Sequence, residues 1–227
     1  PKQNLSLRRL GDAARALLEA AQPGMDFIGF DAARAGARDD ERAWQDEFGL
    51  ARDVSDLGVE RNLLRYRPAP EVWVRLAEGA PIAGLVRVLA AAARAAAPVV
   101  VSASAPLPAA LLALLDDADD LAVVESGGEP VRIESDAAFT ARVTERRPAR
   151  IRLIGSDGVV PGTGRSGADL ARELHAAVAG DPDVTVHAGP VTLAGRVELL
   201  PFLREQSISI TTHRYGNPSP ALTDLPL

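Results

Sequence analysis

The hydrophobic positions follow two rhythms. From Glu71 onward, short apolar runs alternate with segments of helical period: Val72-Trp73-Val74, Val99-Val100-Val101, Leu121-Ala122-Val123-Val124, Ile151-Arg152-Leu153-Ile154 and Val184-Thr185-Val186. Ile82, Leu85, Val86 and Leu89 share one helical face after Pro81, and further helices are expected near 111–115, 137–143 and 168–178. Brief apolar strands joined by helices read as a parallel sheet covered on both faces. The expected fold class is α/β, a Rossmann-like, doubly wound and mostly parallel sheet.

The second rhythm closes the chain. Ser207-Ile208-Ser209-Ile210-Thr211-Thr212 alternates polar and apolar like one half-buried strand. With nothing after it, the segment has no hairpin partner of its own. It is expected to form a β-strand arm that adds to a sheet edge or pairs with another chain. Gly195 to Glu205 reads as a short apolar helix that sets the exit of the arm. At the other end, Leu7, Leu10, Ala14, Leu17 and Leu18 predict a helix over 5–21, ended by Pro23-Gly24. Asp39-Asp40-Glu41 reads as the acidic start of a second helix carrying Trp44 and Phe48, and Gly49 to Gly58 as a linker. The expected division is a helical linker or docking segment over 1–58, a Rossmann-like domain over 59–200 and the arm over 201–227.

Composition removes whole classes of chemistry. The chain has no cysteine, which excludes thiol nucleophiles, disulfides and zinc knuckles within it. Its one lysine, Lys2, lies at an end prone to fray, which argues against a Schiff base or a phosphate-loop lysine. Net charge is -6 and the basic residues are dispersed, so nucleic acid is not an expected partner. No apolar run approaches the length of a membrane span, and Pro1-Lys2-Gln3-Asn4 does not open like a signal peptide. The expected location is cytoplasmic.

Gly162-Thr163-Gly164-Arg165-Ser166-Gly167 is a literal G-x-G-x-x-G at the start of a helix, a pattern that seats a pyrophosphate in dinucleotide-binding folds. Its context differs from theirs. The preceding strand ends near Ile154, too far upstream for a tight turn, and the next ends at His187 where a ribose-binding acid is required. A loop with Ser166 as helix N-cap is the preferred reading, with Gly162, Gly164 and Gly167 as the alternative cofactor site. Asp116-Asp117-Ala118-Asp119-Asp120 lacks the glycine and distal glutamate of a calcium loop and reads as a solvated acidic turn. His175, His187 and His213 have no second histidine at ligand spacing, and no metal site is expected.

Leu203 to Pro220, LREQSISITTHRYGNPSP, resembles the C-terminal motif of the bifunctional proline utilization A flavoenzymes. That motif has an acidic residue, a Ser-x-Asn/Thr-Thr strand and a Gly-Asn end, here Glu205, Ser209, Thr211-Thr212 and Gly216-Asn217. Glu60-Arg61-Asn62-Leu63-Leu64-Arg65-Tyr66-Arg67-Pro68 resembles the family's Gly-Glu-x-Asn-x(5)-Pro segment, which leads into an aldehyde-dehydrogenase-like dinucleotide fold. His213-Arg214-Tyr215 stands where the family has small residues. The resemblance implies an extra, noncatalytic aldehyde-dehydrogenase-superfamily domain at the C-terminal end of such an enzyme, helping to seal the tunnel between two distant active sites. It implies FAD in the proline-oxidising domain and NAD in the semialdehyde-oxidising domain, with no cofactor in this segment. The implied partners are the preceding aldehyde dehydrogenase domain of the same polypeptide and a second protomer. The implied interface comprises Glu205, Ser207, Ile208, Ser209, Ile210, Thr211, Thr212, His213, Arg214, Tyr215, Gly216 and Asn217. Two rival readings stay open: a nucleotide-binding or dehydrogenase domain that uses the Gly162 loop, and an oligomerisation module unconnected with proline catabolism.

Overall fold

The computed structural model describes residues 7–57, 60–116, 121–124, 129–211, 213–214 and 217–218. Its elements run α1 (Asp12–Ala21), α2 (Phe27–Ala43), β1 (Arg52–Asp53), β2 (Glu60–Pro68), β3 (Val72–Leu76), α3 (Ile82–Ala95), β4 (Val99–Ala103) and α4 (Ala109–Asp116). They continue with β5 (Val131–Ile133), α5 (Asp136–Arg146), β6 (Arg150–Ile154), α6 (Gly167–Ala177), β7 (Thr185–His187), α7 (Gly195–Glu198), β8 (Leu203–Thr211), β9 (His213–Arg214) and β10 (Asn217–Pro218).

Strands β3 to β7 form an all-parallel five-stranded sheet of order β5-β4-β3-β6-β7, the doubly wound arrangement expected from the alternating runs. Side chains alternate across it. Val72, Val74 and Leu76 of β3, with Val99 and Val101 of β4, enter one core beneath α1, α2, α3 and α4. Trp73 of β3, Val100 of β4, and Ile151 and Leu153 of β6 enter a second core with Phe139 and Val143 of α5 and Leu170 and Leu174 of α6. Each such side chain contributes about 1.5–3 kcal/mol on leaving water. Leu7, Leu10, Leu17 and Leu18 share the first core with the sheet residues, so the N-terminal helices pack on the sheet domain.

Several local expectations differ from the structure. The first helix starts at Asp12, with Leu7 in a preceding turn. Asp39-Asp40-Glu41 lies near the end of α2, which begins at Phe27 with Asp26 Oδ1 accepting the Gly29 N–H at 2.7 Å. The buried face of α2 is Gly29, Ala33, Gly36, Ala37, Asp40 and Ala43, a stripe of small residues against α3 in which a search for large apolar residues finds no period. A π-helical turn, Trp44–Phe48, follows. The supposed linker carries β1, which pairs antiparallel with β2. Leu121 to Val124 is not a strand: only Val123 bridges, to Val99, and the sheet's edge is β5. Ala122, at φ 44°, interrupts the extended backbone there.

Candidate functional site

The terminal strand does not stand alone. β8 pairs antiparallel with β2 over nine residues, from Glu60 opposite Thr211 to Pro68 opposite Leu203, in a three-stranded sheet of order β1-β2-β8 separate from the core sheet. The two segments that carry the family resemblance are thus the two strands of one ladder. The partner of β8 was missed in the sequence because β2 is rich in arginine and lies far upstream. Only its Leu63-Leu64 pair gave an apolar signal.

The ladder is anchored at one end. The Ala69 N–H donates to the Phe202 carbonyl at 2.8 Å, and Arg150 Nη1 donates to the carbonyls of Pro201 and Leu203 at 3.0 and 2.6 Å. Leu203 is buried, and on the same face Tyr66 meets Phe48 edge to face with centroids 4.8 Å apart. Beyond that anchor, Glu205, Ser207, Ser209 and Thr211 are exposed while Ile208 and Ile210 are half-buried, as their alternation predicts. Ile208 lies opposite the buried Leu63, and Ser209 Oγ donates to Asn62 Oδ1 at 2.8 Å. Asp53 braces the turn beneath: its Oδ2 accepts from the Asn62 N–H and its Oδ1 from the N–H groups of Ser55 and Asp56, which holds its carboxyl below the usual range. His213 and Arg214 pair through their backbones with Asn217 and Pro218 as a short antiparallel ladder. Thr212, Tyr215 and Gly216 lie outside the described residues, as do Asp117 to Asp120 of the acidic run.

In a doubly wound sheet, ligands enter the crevice at the C-terminal strand ends where the winding reverses, here between β3 and β6. Backbone fills it. Thr163 N–H donates to the Gly79 carbonyl at 3.1 Å, and the Gly162 N–H to the Ser156 carbonyl at 2.8 Å. A Cβ on Gly162 would lie 2.2 Å from the Gly79 oxygen, and one on Gly164 only 1.7 Å from the Glu78 oxygen, so close packing of two loops accounts for both glycines. The amide end of α6, where a pyrophosphate would sit, is served from within the chain. Asp157 Oδ1 accepts the Gly167 N–H at 3.0 Å, and Ser166 Oγ, the expected N-cap, accepts the Asp169 N–H at 3.1 Å. The neighbouring cavity, lined by Pro81, Gly84, Gly155 and Val191 among others, measures about 10 Å³, room for a water at most.

Among the described residues three arginines are buried in the core, each with a carboxylate. Arg75 of β3 donates to Asp136 at 2.8 Å and to Ser102 at 2.7 Å; Arg152 of β6 donates to Glu198 at 2.7 Å. Arg87 of α3 clasps both oxygens of Asp40, at 2.6 and 2.8 Å. Burial nevertheless outweighs Arg87 and pushes the Asp40 carboxyl up to about 6. His187 is held below its usual value by burial and by the nearby charges of Arg150 and Arg152. Sequence reading missed these pairs; a charge set among apolar neighbours, as in Ile151-Arg152-Leu153, was the available signal. Among the described residues no group of three or more His, Cys, Asp or Glu could hold a metal ion, and no helix is long and apolar enough to cross a membrane.

No protein-family model and no curated protein sequence matches the chain. Solved structures do. A proline utilization A structure with proline bound in remote sites is 19% identical over 78% of this chain and 19% of its own, at a TM-score of 0.53. A mutant of the Bradyrhizobium japonicum proline utilization A is 18% identical over 77% of this chain and 19% of its own, at 0.52. Proline utilization A from Corynebacterium freiburgense is 28% identical over 87% of this chain and 15% of its own, at 0.48. The chain spans about a fifth or less of the length of these proteins. Its fold is one found within proline utilization A structures.

Proposed function

We propose that this chain is a noncatalytic, aldehyde-dehydrogenase-like domain of a larger bifunctional enzyme that converts proline to glutamate, and that its β2–β8 arm helps seal the passage between two active sites. The observation that carries the reading is the pairing of the two family-like segments into one ladder, anchored at Leu203 and exposed beyond it. Two further features support it. No cysteine is present to form the thiohemiacetal of an aldehyde dehydrogenase, and the switch-point crevice is occupied by the chain's own loops. FAD and NAD belong, on this reading, to the preceding domains. A lid acts by containment: glutamate semialdehyde crossing a gapped passage escapes to bulk water, and a domain that closes the gap raises flux without touching a substrate bond. The arm docks on the preceding aldehyde dehydrogenase domain, in its own polypeptide or in a second protomer.

The test uses the full-length enzyme, with residues 204–227 deleted or with Ile208 and Ile210 both changed to Glu. Proline oxidation and semialdehyde oxidation assayed separately should stay near wild type, while the lag before NADH appears from proline lengthens. An unchanged lag with both half-reactions normal rules out the lid.

A further inference from the structure

The register of the β2–β8 ladder sorts its side chains into two unlike faces. Glu60, Asn62, Tyr66, Glu205, Ser207 and Ser209 share one, the face on which Tyr66 meets Phe48. Arg61, Arg65, Arg67 and Arg204 share the other, around Leu63, Ile208 and Ile210. Arg67 stands directly opposite Arg204, both exposed, and among the described residues neither has an ion-pair partner. The nearest acid along β8, Glu205, points to the other face. Like charges directly across a ladder destabilise it, so nothing within the described fold explains this pair. It also runs against the net charge of -6.

We infer that the arginine face of the arm docks on an acidic protein surface, with Arg67 and Arg204 meeting carboxylates while Ile208 and Ile210 meet an apolar seat. The inference rests on the arm being a docking element and adds the chemistry of what it docks on. An apolar spine edged by arginine is the make-up of a protein interface. A phosphate backbone fits less well, since Tyr66, the aromatic of the ladder, is on the opposite face and no base-stacking platform accompanies the arginines. A two-fold pairing of this face with a second copy would bring together two faces of the same positive sign.

The probe is fluorescein-labelled poly-L-glutamate, titrated with the whole chain in low salt and read by anisotropy. The R67E/R204E variant should bind at least roughly tenfold more weakly, whereas R146E, which reverses an exposed arginine on α5, should bind like wild type. R67E alone faces Arg204 with a carboxylate and should raise Tm by roughly 1–2 °C while weakening binding, a combination that loss of folding cannot produce. No binding, equal loss in R146E, or tighter binding of oligothymidylate than of poly-L-glutamate at Arg67 and Arg204 would overturn the inference. None of these outcomes touches the lag test, because an arm docked through its isoleucines alone would still seal the passage.

Discussion

In the core sheet every residue of β3 and β4 is buried, whereas no residue of β8 beyond Leu203 is. The two regions also treat arginine differently. Arg75, Arg87 and Arg152 lie in the dry interior, each with a carboxylate of this chain. Arg67 and Arg204 stand in solvent with none among the described residues. The core therefore satisfies its charges and its apolar surface from within. The arm pairs one edge of β8 with β2, and Arg67 and Arg204 have no charge partner among the described residues. A region complete in itself is a scaffold, whereas on the docking proposed above the open strand edge and the arginine pair of the arm are where a partner is met.

The largest effect expected from breaking this contrast is in the core. Arg87→Met strands Asp40 as a buried, unpaired carboxylate and should lower unfolding free energy by about 3–5 kcal/mol, measured by urea denaturation. Adding Asp40→Leu should recover most of the loss. A cost under about 1 kcal/mol for Arg87→Met would mean that the pair is not dry.

The same pair has a pH signature. A carboxyl raised to about 6 when folded, against an ordinary value of 3.8, stabilises the fold most when protonated, so its contribution is full below pH 3.8 and is lost as pH rises through 6. The stability of wild type relative to Asp40→Asn should fall between pH 4 and 6, by up to about 3 kcal/mol. A constant difference across that window would contradict the burial argument.

A smaller effect belongs to the closed crevice. Gly164→Ala must displace the Glu78 backbone and should cost about 1–3 kcal/mol, whereas Ile208→Ser on the half-buried arm should cost under about 1 kcal/mol in the isolated chain. Reversal of that order would mean that the arm, not the loop, is part of the folded core. Least of all should nucleotides matter: NAD, NADP and FAD are expected to leave Tm unchanged. A ligand at a hundred times its Kd would add about 2.7 kcal/mol, and a shift of that size would restore Gly162, Gly164 and Gly167 as a cofactor site.

The same division explains what could be read from sequence. The parallel sheet was readable because Val72-Trp73-Val74 and Val99-Val100-Val101 are buried on both faces and so are apolar throughout. Helix α2 was displaced because its contact face is Gly and Ala rather than Leu, and β5 was overlooked because a three-residue edge strand, Val131–Ile133, carries too little pattern. In the arm, the half-buried alternation of β8 was visible while its partner was not, since ladder pairing joins backbones and leaves no mark on residues as polar as Arg65 and Arg67. The closure of the crevice is likewise contact between main chains, between Gly79 and Gly164, which a glycine motif taken by itself reads as a phosphate site.

Amide hydrogen exchange of the isolated chain, set against the full-length polypeptide, tests the central claim most directly. Core amides of β3, β4 and β6 should exchange at closely similar rates in both. Amides of β2 and β8 should open readily in the isolated chain and gain at least roughly tenfold protection in the full-length protein, as expected where docking restrains local opening. Equal protection of β2 and β8 in both forms would show that the arm needs nothing beyond this chain, and would contradict the account.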